Sequence, residues 1–306
     1  MPPGFLIQIL FPFSTFVVMF GLGLALKASA FRQLVRTPRP LLVGLGNQLL
    51  LLPLLGFALA LLWAPRPELA VGLIILTAAP GGIVSNILVH LVRGDTALSV
   101  TLTTLSSLIA FLTAPLWIGL ALRLFLTADD PVRLPLLQLM MQIALLTVLP
   151  VLLGILVHER WPRLAARLQR PVERFSSFVL VSIVSTAVTS ERANLPTYLA
   201  QAGPLALQLN LLALSMGWVS ARLLRLPTPQ GIAIALETGI QNAPVALTIA
   251  ATLLGNTVMS IPAATYAVLM LLTGSLLVWG VRYFLPLPVV ALPASGAVDA
   301  KVAGGG

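Results

Sequence analysis

The chain has 306 residues, is 58% hydrophobic and 9% charged, and carries a formal net charge of +9, with a mean hydropathy of +1.02. This excludes a soluble globular domain and implies an all-α multispanning membrane protein. At about 20 apolar residues per crossing, roughly nine or ten spans fit and little else does. The absence of cysteine removes disulfides and thiolate metal sites.

In chain order the apolar runs give nine expected spans: 4–26, 41–63, 69–92, 97–122, 134–157, 175–189, 199–219, 231–254 and 258–283. The first follows Met1-Pro2-Pro3-Gly4, which has no basic side chain, and is about twice the length of a signal core, so it is read as a span. Residues 286–306, rich in Pro, Gly and Ala, read as a flexible end.

Loops rich in Lys and Arg stay cytoplasmic. Arg66, Arg123, Arg133 and Arg192 fall on one side of these spans, and all the others of the 18 basic residues fall on the opposite side. The expected N-terminus is therefore outside and the C-terminus cytoplasmic. The positive charge reflects topology and implies no nucleic-acid partner. Two basic loops, 27–40 and 158–174, are also placed to touch anionic headgroups of membrane lipid. Compact size and an Ala- and Arg-rich composition suit a bacterial inner membrane.

Glu237, in "ALETGIQNAPVALTIA", is the only Asp, Glu, Lys or Arg well inside an expected span. Such a residue facing lipid costs on the order of 3 kcal/mol or more, so it should face protein, water or an ion. Counting 1.5 Å per residue from the cytoplasmic ends puts Glu237, Gln48, Asn86 and Thr103 all roughly 9 to 11 Å deep, with Gln241 at about 15 Å. A scattered set of this kind is also what polar glue between helices looks like.

Two features argue against glue. Span 69–92 contains "TAAPGGIVSN", in which Pro80, Gly81 and Gly82 break a helix beside Ser85 and Asn86. Span 231–254 places Gly239 and Pro244 around Gln241 and Asn242. Unwound backbone at membrane depth is tolerated where it lines a cavity or is buried, and paired broken helices point to a transporter's binding site. In addition, Glu237 and Gln241 lie four apart on one helical face, as do Ser99 and Thr103. A carboxylate among amide, hydroxyl and backbone oxygens suits a hard cation such as Na+. A proton on Glu237 is the competing device, but it gives the amides and hydroxyls no role. An intramembrane enzyme has no supporting motif here. His90 and His158, near cytoplasmic helix ends, read as interfacial or structural.

The stretch "ETGIQNAP" resembles the Glu-x-Gly-x-Gln-Asn signature of the bile acid:sodium symporter family. "PGGIVSNILVHLVRGDTALSVTLTTLSS", "MFGLGLALKASAFRQL" and "NQLLLLP" resemble further family blocks, in the family's order. The resemblance implies two inverted repeats with two discontinuous crossing helices. It divides the chain into a panel domain, 1–40 and 134–192, and a core transport domain, 41–122 and 193–285. One Na+ site would use Ser85, Asn86, Ser99, Thr103 and Glu237. A second would use Gln48, Glu237 and Gln241 with the carbonyls of Thr238 and Ile240. An organic anion would sit near the backbone of Ile83 and Val84 and beside Asn242, Ala243 and Pro244. The chain matches the family's nine-helix form rather than its ten-helix form. Ile83 and Pro244 depart from residues common in the family, which implies a different or more apolar ligand. The same resemblance leaves open a proton-coupled or oxyanion carrier of this superfold, or a non-transporting sensor.

Overall fold

The computed structural model describes residues 3–26, 38–126, 135–172, 174–175, 178 and 195–284. Most of the expected span 175–189, the basic loop 27–37 and the expected flexible end 286–306 lie outside these residues. Within them the backbone is helical, and the one extended pairing is an isolated antiparallel bridge between Gly81 and Gln241.

Helix α1 is Pro3–Ala25, α2 is Pro38–Trp63, α3 is Pro67–Ala78, α4 is Ile83–Leu91 and α5 is Thr96–Phe125. They are followed by α6, Leu136–Arg160, and α7 over 162–172. The last four are α8, Leu195–Leu223, α9, Thr228–Gly239, α10, Ala243–Leu253, and α11, Val258–Phe284. Both expected breaks are present: span 69–92 is the pair α3 and α4, and span 231–254 is the pair α9 and α10. Helix α8 is longer at both ends than its apolar run of 199–219, because the helical ladder continues through flanking residues such as Arg222.

Burial is inverted relative to a water-soluble protein. Leu61, Leu116, Leu137 and Leu276 are exposed, whereas Thr15, Gln48, Ser85, Ser99, Thr103 and Asn210 are buried. Apolar side chains outward and satisfied polar groups inward is the arrangement lipid demands. Five helical stretches, in α2, α5, α6, α8 and α11, are long and apolar enough to cross a bilayer alone. The chain is a multi-pass integral membrane protein.

The broken helices lie at the centre. Every residue of α3 from Leu69 to Ala78 is buried, as is every residue of α9 from Gly231 to Gly239. Helix α2 carries a π-turn at Asn47–Leu51. Pro53 lacks the N–H that would bond the Leu49 carbonyl, and the Trp117 indole of α5 donates to that carbonyl at 3.1 Å instead. The wider turn delivers two consecutive amides inward, Asn47 to Ser220 Oγ of α8 at 2.7 Å and Gln48 to the crossing.

Helix α1 packs closely on the second half of α6. A Cβ on Gly23 would strike the Val151 carbonyl, and one on Gly154 would strike that of Phe20, so the two backbones meet through paired small residues. The His158 ring bonds the Leu24 carbonyl through Nδ1 at 2.7 Å, which gives this histidine the structural role its position suggested.

Candidate functional site

The two breaks cross each other. Gly82 N–H donates to the Ile240 carbonyl at 3.3 Å, and Asn242 N–H donates to the Pro80 carbonyl at 3.1 Å. Each unwound segment thus satisfies backbone groups that the other has lost. Asn242 also caps α10, accepting from Val245 N–H at 3.2 Å, while its amide reaches the Gly81 carbonyl at 3.4 Å. The N-terminal ends of α4 and α10 both start at this crossing, which directs two positive helix-dipole ends toward it.

Glu237, only 1% exposed, sits on the last turn of α9. Its Oε2 accepts from Ser85 Oγ at 2.7 Å and from Ser99 Oγ at 3.3 Å. Its Oε1 accepts from Thr103 Oγ1 at 2.6 Å. Asn86 Oδ1 accepts from Ser99 Oγ at 2.6 Å and Thr103 Oγ1 at 3.2 Å. The structure therefore brings Ser85, Asn86, Ser99, Thr103 and Glu237 into one hydrogen-bonded cluster drawn from α4, α5 and α9.

These hydroxyls have second acceptors for their protons. Ser85 Oγ is 2.7 Å from the Gly82 carbonyl and Thr103 Oγ1 is 3.0 Å from that of Ser99, while Ser99 Oγ has Asn86 Oδ1. A hydroxyl that turns its proton to such an acceptor presents lone pairs toward the carboxylate region. The cluster can therefore either solvate a carboxylate or, with Glu237, coordinate a hard cation.

Gly81 has a specific role here. A Cβ at that position would overlap Glu237 Oε1, so its missing side chain makes room for the carboxylate. The sequence reading credited this glycine only with relaxing the backbone.

The second set also converges. Gln48 Nε2 donates to Gln241 Oε1 at 2.8 Å and to the Ala79 carbonyl at 3.0 Å. Gln241 Nε2 donates to the Thr238 carbonyl at 2.8 Å and lies 3.5 Å from that of Glu237. Gln48, Gln241 and the carbonyls of Glu237 and Thr238 thus form one hydrogen-bonded set, with the Ile240 carbonyl engaged by Gly82. Of the residues expected near substrate, Ile83 and Val84 are half-buried, whereas Asn242, Ala243 and Pro244 are buried. The Pro244 carbonyl accepts from Thr248 Oγ1 at 2.8 Å and from Thr15 Oγ1 of α1 at 3.3 Å. Thr15 and Thr248 hydroxyls are 2.8 Å apart.

Sequence reading missed a further buried group. The Gly239 carbonyl, freed by the break, accepts from Asn210 Nδ2 of α8 at 2.8 Å and from Tyr266 OH of α11 at 2.7 Å. Thr273 Oγ1 donates to Asn210 Oδ1 at 2.6 Å. The available signal was the amide pair Gln208 and Asn210 in "LALQLNLLAL" and a Tyr and Thr seven apart on one face of α11. Among the described residues no group of three or more His, Cys, Asp or Glu could hold a metal, so the site's chemistry is that of one carboxylate and neutral oxygens.

Comparison with known proteins gives the family. The family model described as the Sodium Bile acid symporter family matches residues 12–197. The chain is similar to the uncharacterized sodium-dependent transporter YocS of Bacillus subtilis, 32% identical over 265 residues, 85% of this chain and 79% of that protein. It is 29% identical over 264 residues to the probable sodium/metabolite cotransporter BASS2, chloroplastic, of Oryza sativa, 85% of this chain and 61% of that protein. It is 29% identical over 235 residues to the human ileal sodium/bile acid cotransporter, 76% of this chain and 66% of that one. The relatives are transporters by name, not enzymes. With an intramembrane carboxylate at the crossing of two broken helices and a family match over more than half its length, the chain belongs to the sodium bile acid symporter family of sodium-dependent transporters.

Proposed function

We propose that the protein imports an organic anion, a small carboxylate or a bile-acid-like molecule, coupled to two Na+ bound around Glu237. The observation that carries this reading is the Glu237 cluster: a fully enclosed carboxylate whose partners are hydroxyls with alternative acceptors for their protons. The first ion takes Ser85, Asn86, Ser99, Thr103 and Glu237. The second takes Gln48, Gln241, Glu237 and the carbonyls of Thr238 and Ile240, with the two glutamine amides turned to present oxygen.

Both sites share Glu237 and both border the crossing. Ion binding would therefore fix the two unwound segments and complete a substrate site at Ile83, Val84, Asn242, Ala243 and Pro244. The two helix N-termini favour an anion there. Residues 41–122 and 193–285 form the moving core in this reading, and 1–40 with 134–192 form the panel it moves against. The protein lies in a bacterial inner membrane with its N-terminus outside. Two Na+ carried with one monovalent anion move a net positive charge, worth about 2.3 kcal/mol per 100 mV.

The test is a thermal-shift screen of carboxylates and sulfonates on the purified chain with and without Na+, followed by uptake into proteoliposomes. A ligand whose stabilisation and accumulation both require Na+ is the expected result. Accumulation driven equally well by a proton gradient in Na+-free buffer would overturn the coupling.

A further inference from the structure

Helix α7 carries a pattern that ion coupling does not use. Its arginines are Arg163, Arg167, Arg170 and, in the helical residues just beyond, Arg174, and all four are exposed. At about 100° per residue these positions fall within an arc of about 60°. The other face is fixed to the protein: Ala165 is 2% exposed, Val172 packs where a Cβ on Gly21 would lie, and Phe175 meets Phe13 edge-on at 6.3 Å. The arginine stripe therefore points away from α1.

Its position along the fold matters. The preceding helix α6 exposes Leu145, Leu149, Leu152 and Leu156 on one face, and Trp161, 54% exposed, separates that face from the stripe. An exposed leucine strip, then a Trp, then arginines is the order of hydrocarbon, interface and headgroup. Among the described residues no carboxylate forms an ion pair with the stripe. Topology needs only enough positive charge on one side of the membrane; it does not require the charges to share a helical face. Arginine's planar fork suits the paired oxygens of a phosphodiester.

We infer that this stripe is a binding site for the headgroups of anionic phospholipids, seated where α6 leaves the hydrocarbon. The full-length protein is compared in nanodiscs of phosphatidylcholine alone and of phosphatidylcholine with phosphatidylglycerol. Lipid retention is read by native mass spectrometry and thermal stability by intrinsic fluorescence. Wild type is expected to retain phosphatidylglycerol and to melt higher in its presence, with the difference shrinking in high KCl. At about fivefold in affinity per arginine, additive losses in R163Q/R167Q/R170Q/R174Q should weaken retention by roughly 600-fold, and the four-lysine counterpart should restore most of it. The single variants R167Q and R170Q should show graded losses while inserting normally. Retention unchanged in the glutamine variants, stabilisation indifferent to headgroup, or displacement of the lipid by equimolar inorganic phosphate would overturn the proposal. No sodium or transported anion enters the measurement, so its outcome is independent of the transport reading.

Discussion

The two unwound segments share a backbone plan and differ in chemistry. Through the reciprocal bonds of the crossing, Pro80 corresponds to Ile240, Gly81 to Gln241 and Gly82 to Asn242. Continuing that register pairs Glu237 with Thr77, Ser85 with Val245 and Asn86 with Ala246. Among the described residues Thr77 bonds within its own helix, to the Ile74 carbonyl at 3.1 Å. The polar cluster is thus built on one side of a nearly symmetric backbone.

The flanking carbonyls diverge in the same way. That of Ala79 is held by Gln48, whose amide also engages Gln241 and can turn. That of Gly239 is held by two donors, Asn210 and Tyr266, with Thr273 bracing the first. A carbonyl with two donors is held more firmly than a carbonyl with one, and in the proposed reading Gln48 must be free to turn its oxygen to an ion. The difference teaches that backbone symmetry sets the crossing, and that side-chain asymmetry, in the proposed reading, divides it into a half that binds and a half that holds.

Substitutions can break that division. The largest effect is expected from Gly81→Ala: its Cβ displaces the carboxylate, overpacking costs about 1–3 kcal/mol, and Na+-dependent stabilisation should disappear although Gly81 donates no ligand atom. Retained Na+ dependence in a folded Gly81→Ala protein would mean that Glu237 does not need its present position. Tyr266→Phe removes one donor from a buried carbonyl and should cost about 1–2 kcal/mol of stability, while raising the Na+ concentration for half-maximal uptake severalfold without altering the steepness of its Na+ dependence. Gln48→Ala also leaves a buried carbonyl without its donor, costing about 1–3 kcal/mol, but should differ in kind, with the Hill coefficient for Na+ falling from about two toward about one. Identical Na+ profiles for the Tyr266 and Gln48 variants would erase the distinction between holding and binding. Thr15→Val, which loses the bonds from α1 to Thr248 and Pro244, should cost about 1 kcal/mol or less and leave Na+ affinity unchanged.

Much of this was legible from the residues. Pro80 with two glycines announces one break, and depth counting brings Gln48, Asn86, Thr103 and Glu237 to one level. Depth counting works because a helix rises uniformly and lipid makes each intramembrane polar group conspicuous. It failed for Asn210, Tyr266 and Thr273, because their partner is a carbonyl that exists as a free acceptor only once the chain has unwound at Gly239. Space for the carboxylate beside Gly81 was invisible for the same reason: a close approach between distant segments leaves no local signature. The π-turn that aims Gln48 was readable in principle from Pro53, since a missing N–H must leave a carbonyl to be satisfied elsewhere.

The central claim is that Glu237 is the shared ligand of two sodium ions. Its most direct test is Na+ titration of the Glu237→Gln variant against wild type, reading thermal stability in the same detergent or lipid. The variant keeps the shape of the side chain but removes its charge and turns one acceptor oxygen into an NH2 donor, which the lone pairs of the neighbouring hydroxyls can accept. Wild type should be stabilised by Na+ cooperatively and not by K+, and the variant should fold yet show no Na+-dependent shift. A folded Glu237→Gln protein that Na+ stabilises as it does wild type would contradict the account.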